Sequence, residues 1–168
     1  MRSLFIAALM LLLVPVSGYA ADKLAAPSGP VILTIDGNIT SFNTTDRKAQ
    51  WDLGMLKALG MTAFDTDTPW MEDMSAFEGV LLRDVLLAVG AAGRTVTAYA
   101  TDGYSNEIEM TDFDNYNVIL AYSLDGKMLD NENKGPLWIM YPFDAHPNID
   151  IEEYAAHAVW QLKRLEVQ

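Results

Sequence analysis

The chain reads as an α+β fold, mixed and mostly antiparallel, and three observations predict it. Short segments alternating apolar and polar residues recur along most of its length, and helix-like stretches between them are few and brief. Aspartate-glycine turn pairs punctuate the pattern at Asp36-Gly37, Asp102-Gly103 and Asp125-Gly126. Hydrophobic residues make up 51% of the chain, enough for a real core and too many for a disordered protein. Neither an internal repeat nor a domain boundary interrupts 31–168, which reads as one compact domain.

Residues 1–20 are expected to be an export signal. Arg2 gives the positive start, Leu4 to Val16 the apolar stretch, and Gly18-Tyr19-Ala20 the small residues of a cleavage site. Pro15 interrupts a run that is shorter than the ~20 apolar residues of a spanning helix, so no membrane insertion is expected after cleavage. Residues 21–30, with Pro27 and Pro30, are expected to form a flexible arm. Cysteine is absent, which argues against a lipid-modified N-terminus and a disulfide-stapled scaffold. The expected location is periplasmic or secreted. Without Arg2, ten Lys and Arg stand against 23 Asp and Glu, a balance of −13. Such acidity disfavours nucleic acid and anionic lipid as partners and otherwise serves solubility.

The elements follow in order. Val31 to Ile35 is a strand, Asp36-Gly37 a hairpin turn, and Asn38 to Phe42 its returning partner. Asn43 to Gln50 is polar and turn-rich. Asp52 is placed to cap a short helix that presents Leu53, Leu56 and Leu59 on one face and ends at Gly60. Met61 to Thr66 alternates as a strand, Phe77 to Val80 is extended, and Leu82 to Val89 is a helix closed by Gly90. Thr95 to Ala100 and Asn106 to Met110 flank the Asp102-Gly103 turn. A helical turn over Asp112 to Tyr116 precedes a strand from Val118 to Ser123. Leu137 to Tyr141, the most continuous apolar run, is expected to be a central strand. Pro142 to Asp150 reads as a loop, Ile151 to Val159 as helical, and Leu162 to Val167 as a closing strand.

Several segments, taken in order, resemble the molybdopterin-binding domain of the sulfite oxidase family. They are Thr66-Asp67-Thr68-Pro69-Trp70, Phe77 to Leu86, and Ala100-Thr101-Asp102-Gly103-Tyr104. Ile119 to Tyr122, Asp125-Gly126, Lys134 to Trp138 and Trp160 to Lys163 continue the series. The resemblance spans about residues 31 to 167 and implies a sulfite-oxidase-like fold whose loops form a crevice for a pterin cofactor. It also implies a molybdenum-binding cysteine shortly upstream of the segment matching Phe77 to Leu86. That stretch, Ala63 to Met74, offers Asp65, Thr66, Asp67 and Thr68 but no thiolate. Hydroxyl or carboxylate ligands are hard donors and would change both affinity and metal electronics. A pterin phosphate further needs clustered cations or convergent amides, whereas Arg and Lys are scattered through the middle of this chain.

Other constellations have simpler explanations. Asp144, His146, Asp150, Glu152 and Glu153 lie close in sequence, as cation ligands do, yet loop residues and the capped start of a helix account for them. His157 sits among alanines and reads as a packed histidine. Met71 and Met74 are too few soft donors for copper. A Ser105, Asp144 and His157 set can be forced from the sequence, without a nucleophile elbow to support it.

If the fold carries over, Trp70, Tyr104, Tyr122 and Tyr141 lie near the family crevice. With Thr68, Asn106 and Lys134 beside them, they have the usual character of a small-molecule pocket. The expectation is an exported, non-catalytic binding or accessory module, with no metal and no cofactor, taking an unknown small molecule or an envelope protein as partner. The rival expectations are a molybdopterin-dependent oxidoreductase using non-cysteine contacts and a periplasmic sensor serving a membrane protein.

Overall fold

The structure, a computed structural model, describes residues 24–147, 149 and 151–168. The expected signal over 1–20, the first residues of the arm and the capping role given to Asp150 fall outside these. Among the described residues, no helix is long and apolar enough to cross a membrane.

Ten strands form two five-stranded sheets among the described residues. In the first, β1 (Leu33–Gly37) lies between β2 (Ala49–Trp51) and β10 (Leu162–Val167), followed by β5 (Thr95–Ala100) and β6 (Ser105–Glu109). In the second, β3 (Thr62–Thr66), β4 (Ser75–Leu81), β7 (Ile119–Leu124) and β8 (Lys127–Met128) run side by side. The short β9 (Trp138–Met140) also pairs with β7. All pairings are antiparallel except β1 with β10, so the mixed α+β class holds. One hydrophobic cluster draws from both sheets, taking Ile35, Ala98 and Leu165 from the first and Phe77, Leu120 and Trp138 from the second. This is a single compact domain.

The helices are short: α1 (Leu53–Ala58), α2 (Leu82–Ala88), α3 (Met110–Asn115) and α4 (Ile151–Ala155). Asp52 caps α1 as its sequence position implies, its Oδ1 accepting from the Met55 N–H at 2.8 Å. Its Oδ2 accepts from the N–H groups of Ser28 and Gly29 at 2.6 and 2.7 Å, which ties the 24–30 segment to the domain. These donors, the Met55 N–H first, hold the Asp52 carboxyl down at about 2.

Two sequence expectations need correction. No hairpin forms at Asp36-Gly37: Gly37 stays within β1 opposite Val167, and the Asn38 N–H donates to the Val167 carbonyl at 2.9 Å. At φ +84° Gly37 lets the β10 backbone come so close that a Cβ would collide with the Val167 oxygen. The antiparallel partner of β1 is instead β2, at the end of the polar 43–50 stretch. The second correction concerns the apolar run 137–141. Its strand β9 is fully buried, yet it pairs with β7 alone among the described strands. The chain at 158–162 covers it: the Ile139 N–H donates to Val159 O and Trp138 Nε1 donates to Ala158 O, each at 3.0 Å.

Candidate functional site

The crevice is built where three loops meet. Loop 67–70, after β3, carries Trp70. Its root is fixed by Asp144, whose Oδ2 accepts from Thr66 Oγ1 at 2.8 Å and from the Asp67 N–H at 2.6 Å. Those bonds, the Asp67 amide first, hold the Asp144 carboxyl below its ordinary value. Within the loop, Thr68 is buried and its Oγ1 accepts from the Trp70 N–H at 3.4 Å.

The second loop joins β5 to β6 and turns at Gly103, which has φ +96°. Asp102 Oδ1 accepts from the Tyr104 N–H at 2.9 Å, and the Tyr104 hydroxyl donates to Ala156 O at 3.0 Å. Asn106 Nδ2 donates to that same hydroxyl at 3.3 Å. The third piece, 155–160, runs on from the last residue of α4 and brings Trp160 against Trp70, their ring centroids 5.6 Å apart and nearly perpendicular. Trp138 stands behind both rings, at 5.5 Å from Trp70 and 6.1 Å from Trp160.

These loops enclose a cavity of about 310 Å³ walled by Trp70, Tyr104 and Trp160, with Ala100, Ala155, Ala156, Ala158 and Val159 between them. Among the described residues, its lining carries one charged side chain, Asp102. Lys134 is adjacent but outside the lining. Its Nζ stands 4.0 Å from the Trp160 ring centroid and 5.3 Å from that of Trp138, and burial lowers its pKa.

The seven residues named from sequence are therefore distributed as follows. Trp70 and Tyr104 line the cavity, Asn106 touches the Tyr104 hydroxyl, Lys134 backs Trp160, and Thr68 braces the loop that carries Trp70. Tyr141 is fully buried elsewhere, its hydroxyl donating to Asp112 Oδ2 at 2.9 Å. Tyr122 is also buried, with Lys57 Nζ 4.8 Å from its ring centroid, and burial pushes its hydroxyl up to about 12. Sequence reasoning did not select Trp160 or Asp102. The available signal was the run Ala155-Ala156-His157-Ala158-Val159-Trp160, where small residues precede a large ring and so leave space beside it.

A second cluster lies on the other flank of the same segment. Tyr116, Tyr141 and Tyr154 pack with ring centroids 5.4 to 6.2 Å apart. Asp112, itself buried, sits beneath them, and His157 Nδ1 lies 3.3 Å from its Oδ2 without an aligned hydrogen bond. Burial and the Asp112 charge drive the Tyr141 hydroxyl far above its ordinary value. A hydrogen bond with Tyr116 does the same for Tyr154. His146 packs edge-on against Tyr116 at 4.9 Å. Among the described residues, no three His, Asp or Glu side chains converge to hold a metal ion. The members of the forced Ser105, Asp144 and His157 set do not form a relay: Asp144 serves Thr66 and Asp67, while His157 faces Asp112.

The comparisons with known proteins agree with this architecture. A family model described as the oxidoreductase molybdopterin binding domain matches residues 42–145. The chain belongs to that family. Among solved structures it is similar to the sulfane dehydrogenase SoxCD from Paracoccus pantotrophus, with a TM-score of 0.60 and 16% sequence identity. The match covers 80% of this chain and 37% of that one, so this chain spans little more than a third of the larger protein. At that identity the likeness is one of fold. No curated protein matches.

A thiolate-held molybdenum pterin does not fit the residues present. No sulfur anion is available in a chain without cysteine, and the buried Thr66 hydroxyl is committed to Asp144. Among the described residues, the cavity lining has Asp102 as its charged side chain and offers no cation of the kind a pterin phosphate requires.

Proposed function

We propose that this chain is a binding module which keeps the molybdopterin-domain fold without its molybdenum chemistry. The supporting observation is the composition of the crevice, an aromatic and alanine-walled cavity of about 310 Å³ in a cysteine-free chain. That volume lies at the lower end of the ~300–1,000 Å³ typical of small-molecule pockets. Tryptophan and tyrosine walls supply contact area with little side-chain freedom to lose, so binding here costs little ordering. The signal-like residues 1–20 support export, which would put the module in the periplasm.

The test is a titration of the purified mature chain with a panel of small organic compounds, read by tryptophan emission. At least one compound is expected to saturate, and Ala156→Leu, which adds bulk at the cavity wall, is expected to abolish that response. Failure of the whole panel, or a response untouched by Ala156→Leu, overturns the reading.

Family membership across residues 42–145 favours one rival, a molybdopterin-dependent oxidoreductase that holds its cofactor through non-cysteine contacts. Stoichiometric molybdenum in the purified protein is its signature.

A further inference from the structure

The geometry points to a small organic cation, of the alkylated or quaternary ammonium class, as the ligand of the Trp70–Tyr104–Trp160 crevice. This rests on the binding reading above and names its ligand class. Aromatic faces carry the negative part of the ring quadrupole, and tryptophan attracts a cation most strongly. Two tryptophans and a tyrosine wall this cavity, and its charged lining residue is a carboxylate, Asp102. Rings and charge therefore favour the same sign.

Two further observations support that sign. The Trp160 ring already holds a cation, since Lys134 Nζ lies 4.0 Å from its centroid and outside the cavity lining. The whole chain carries a net charge of −12, which concentrates cations near its surface and repels anions. Four alanines in the lining leave room for a compact, branched head group rather than a long chain. Lys134 itself opposes a second positive charge nearby, and this gives the proposal a control of opposite sign to Asp102.

The experiment is calorimetric titration of the purified protein with choline and with 3,3-dimethyl-1-butanol, which has the same shape without the charge. Choline is expected to bind at least about tenfold tighter, since the cation–π contact and the nearby carboxylate each contribute. Asp102→Asn keeps a side-chain acceptor for the Tyr104 N–H and removes the charge. It should weaken choline roughly three- to tenfold and affect the uncharged alcohol far less. Lys134→Met should strengthen choline several-fold. Equal affinities for the two compounds, no choline saturation in the millimolar range, or choline binding indifferent to both substitutions overturns the assignment. Equal, saturable binding of both compounds would retain the binding-module reading while removing the preference for charge. If neither binds, that reading still stands where another panel compound saturates the crevice and Ala156→Leu abolishes it.

Discussion

The segment from Tyr154 to Trp160 has two flanks, and they solve the same packing problem in opposite ways. Toward α3 and β9, Tyr154 and His157 meet Tyr116, Tyr141 and Asp112, and rings fill the space around one buried carboxylate. Toward the β5–β6 loop, Ala155, Ala156 and Ala158 face Trp70 and Tyr104, and a cavity stays open. Aromatic residues stand on both flanks. What differs is the size of the residues between them, and that alone separates a closed polar core from a ligand-sized crevice. Openness here is a sequence choice of alanine beside tryptophan, not a consequence of loose packing.

The largest expected effect comes from breaking the wall behind the crevice. Trp138 is fully buried and its ring meets Trp70, Trp160 and Phe77. Trp138→Ala should cost about 3–5 kcal/mol in urea unfolding and should also collapse crevice binding. A smaller effect is expected on the closed flank. Asp112→Ala leaves the fully buried Tyr141 hydroxyl without its acceptor, a loss of about 1–3 kcal/mol. Adding Tyr141→Phe should recover part of that loss, because the orphaned donor goes with it. Crevice binding should be unaffected by either change, since neither residue lines the cavity. A loss of binding in Asp112→Ala would show that the two flanks are coupled.

The pH dependence separates the regions further. Tyr141 and Tyr154 have folded-state pKa values raised above the ordinary 10.0, so the fold favours their neutral forms. Their contribution is complete below pH 10 and is lost as pH rises toward the folded values. Unfolding midpoints should therefore fall in alkali, and Tyr141→Phe should flatten that fall. Asp52 has the reverse sign, with its pKa lowered from 3.8 to about 2. Its contribution is present above pH 3.8 and disappears as pH drops through about 2. Asp52→Asn should make the acid limb shallower, as measured by thermal melts between those values, and this is the smallest effect expected.

Much of the fold was legible because it is local. Asp52 before an apolar helical face, the alternation over Thr95 to Ala100 and the turn at Asp125-Gly126 each announce an element through neighbours in sequence. The pairing of β1 with β10 was not legible. Gly37 looks like half of a hairpin turn, and only the arrival of Val167 from the far end of the chain gives its positive φ another use. The strand β9 was misread for a related reason, since apolarity reports burial but not which element provides it. Trp70 and Tyr104 could be selected by family resemblance. Asp112 could not, because its importance depends on Tyr141, 29 residues away, and on His157 beyond that.

Native mass spectrometry tests the central claim most directly, on the chain purified from a bacterial host that makes molybdenum cofactor. The expected spectrum is that of the bare polypeptide, with no pterin-sized adduct and no molybdenum isotope pattern. A one-to-one adduct of molybdenum and pterin, retained through purification, would contradict a fold kept without its metal chemistry.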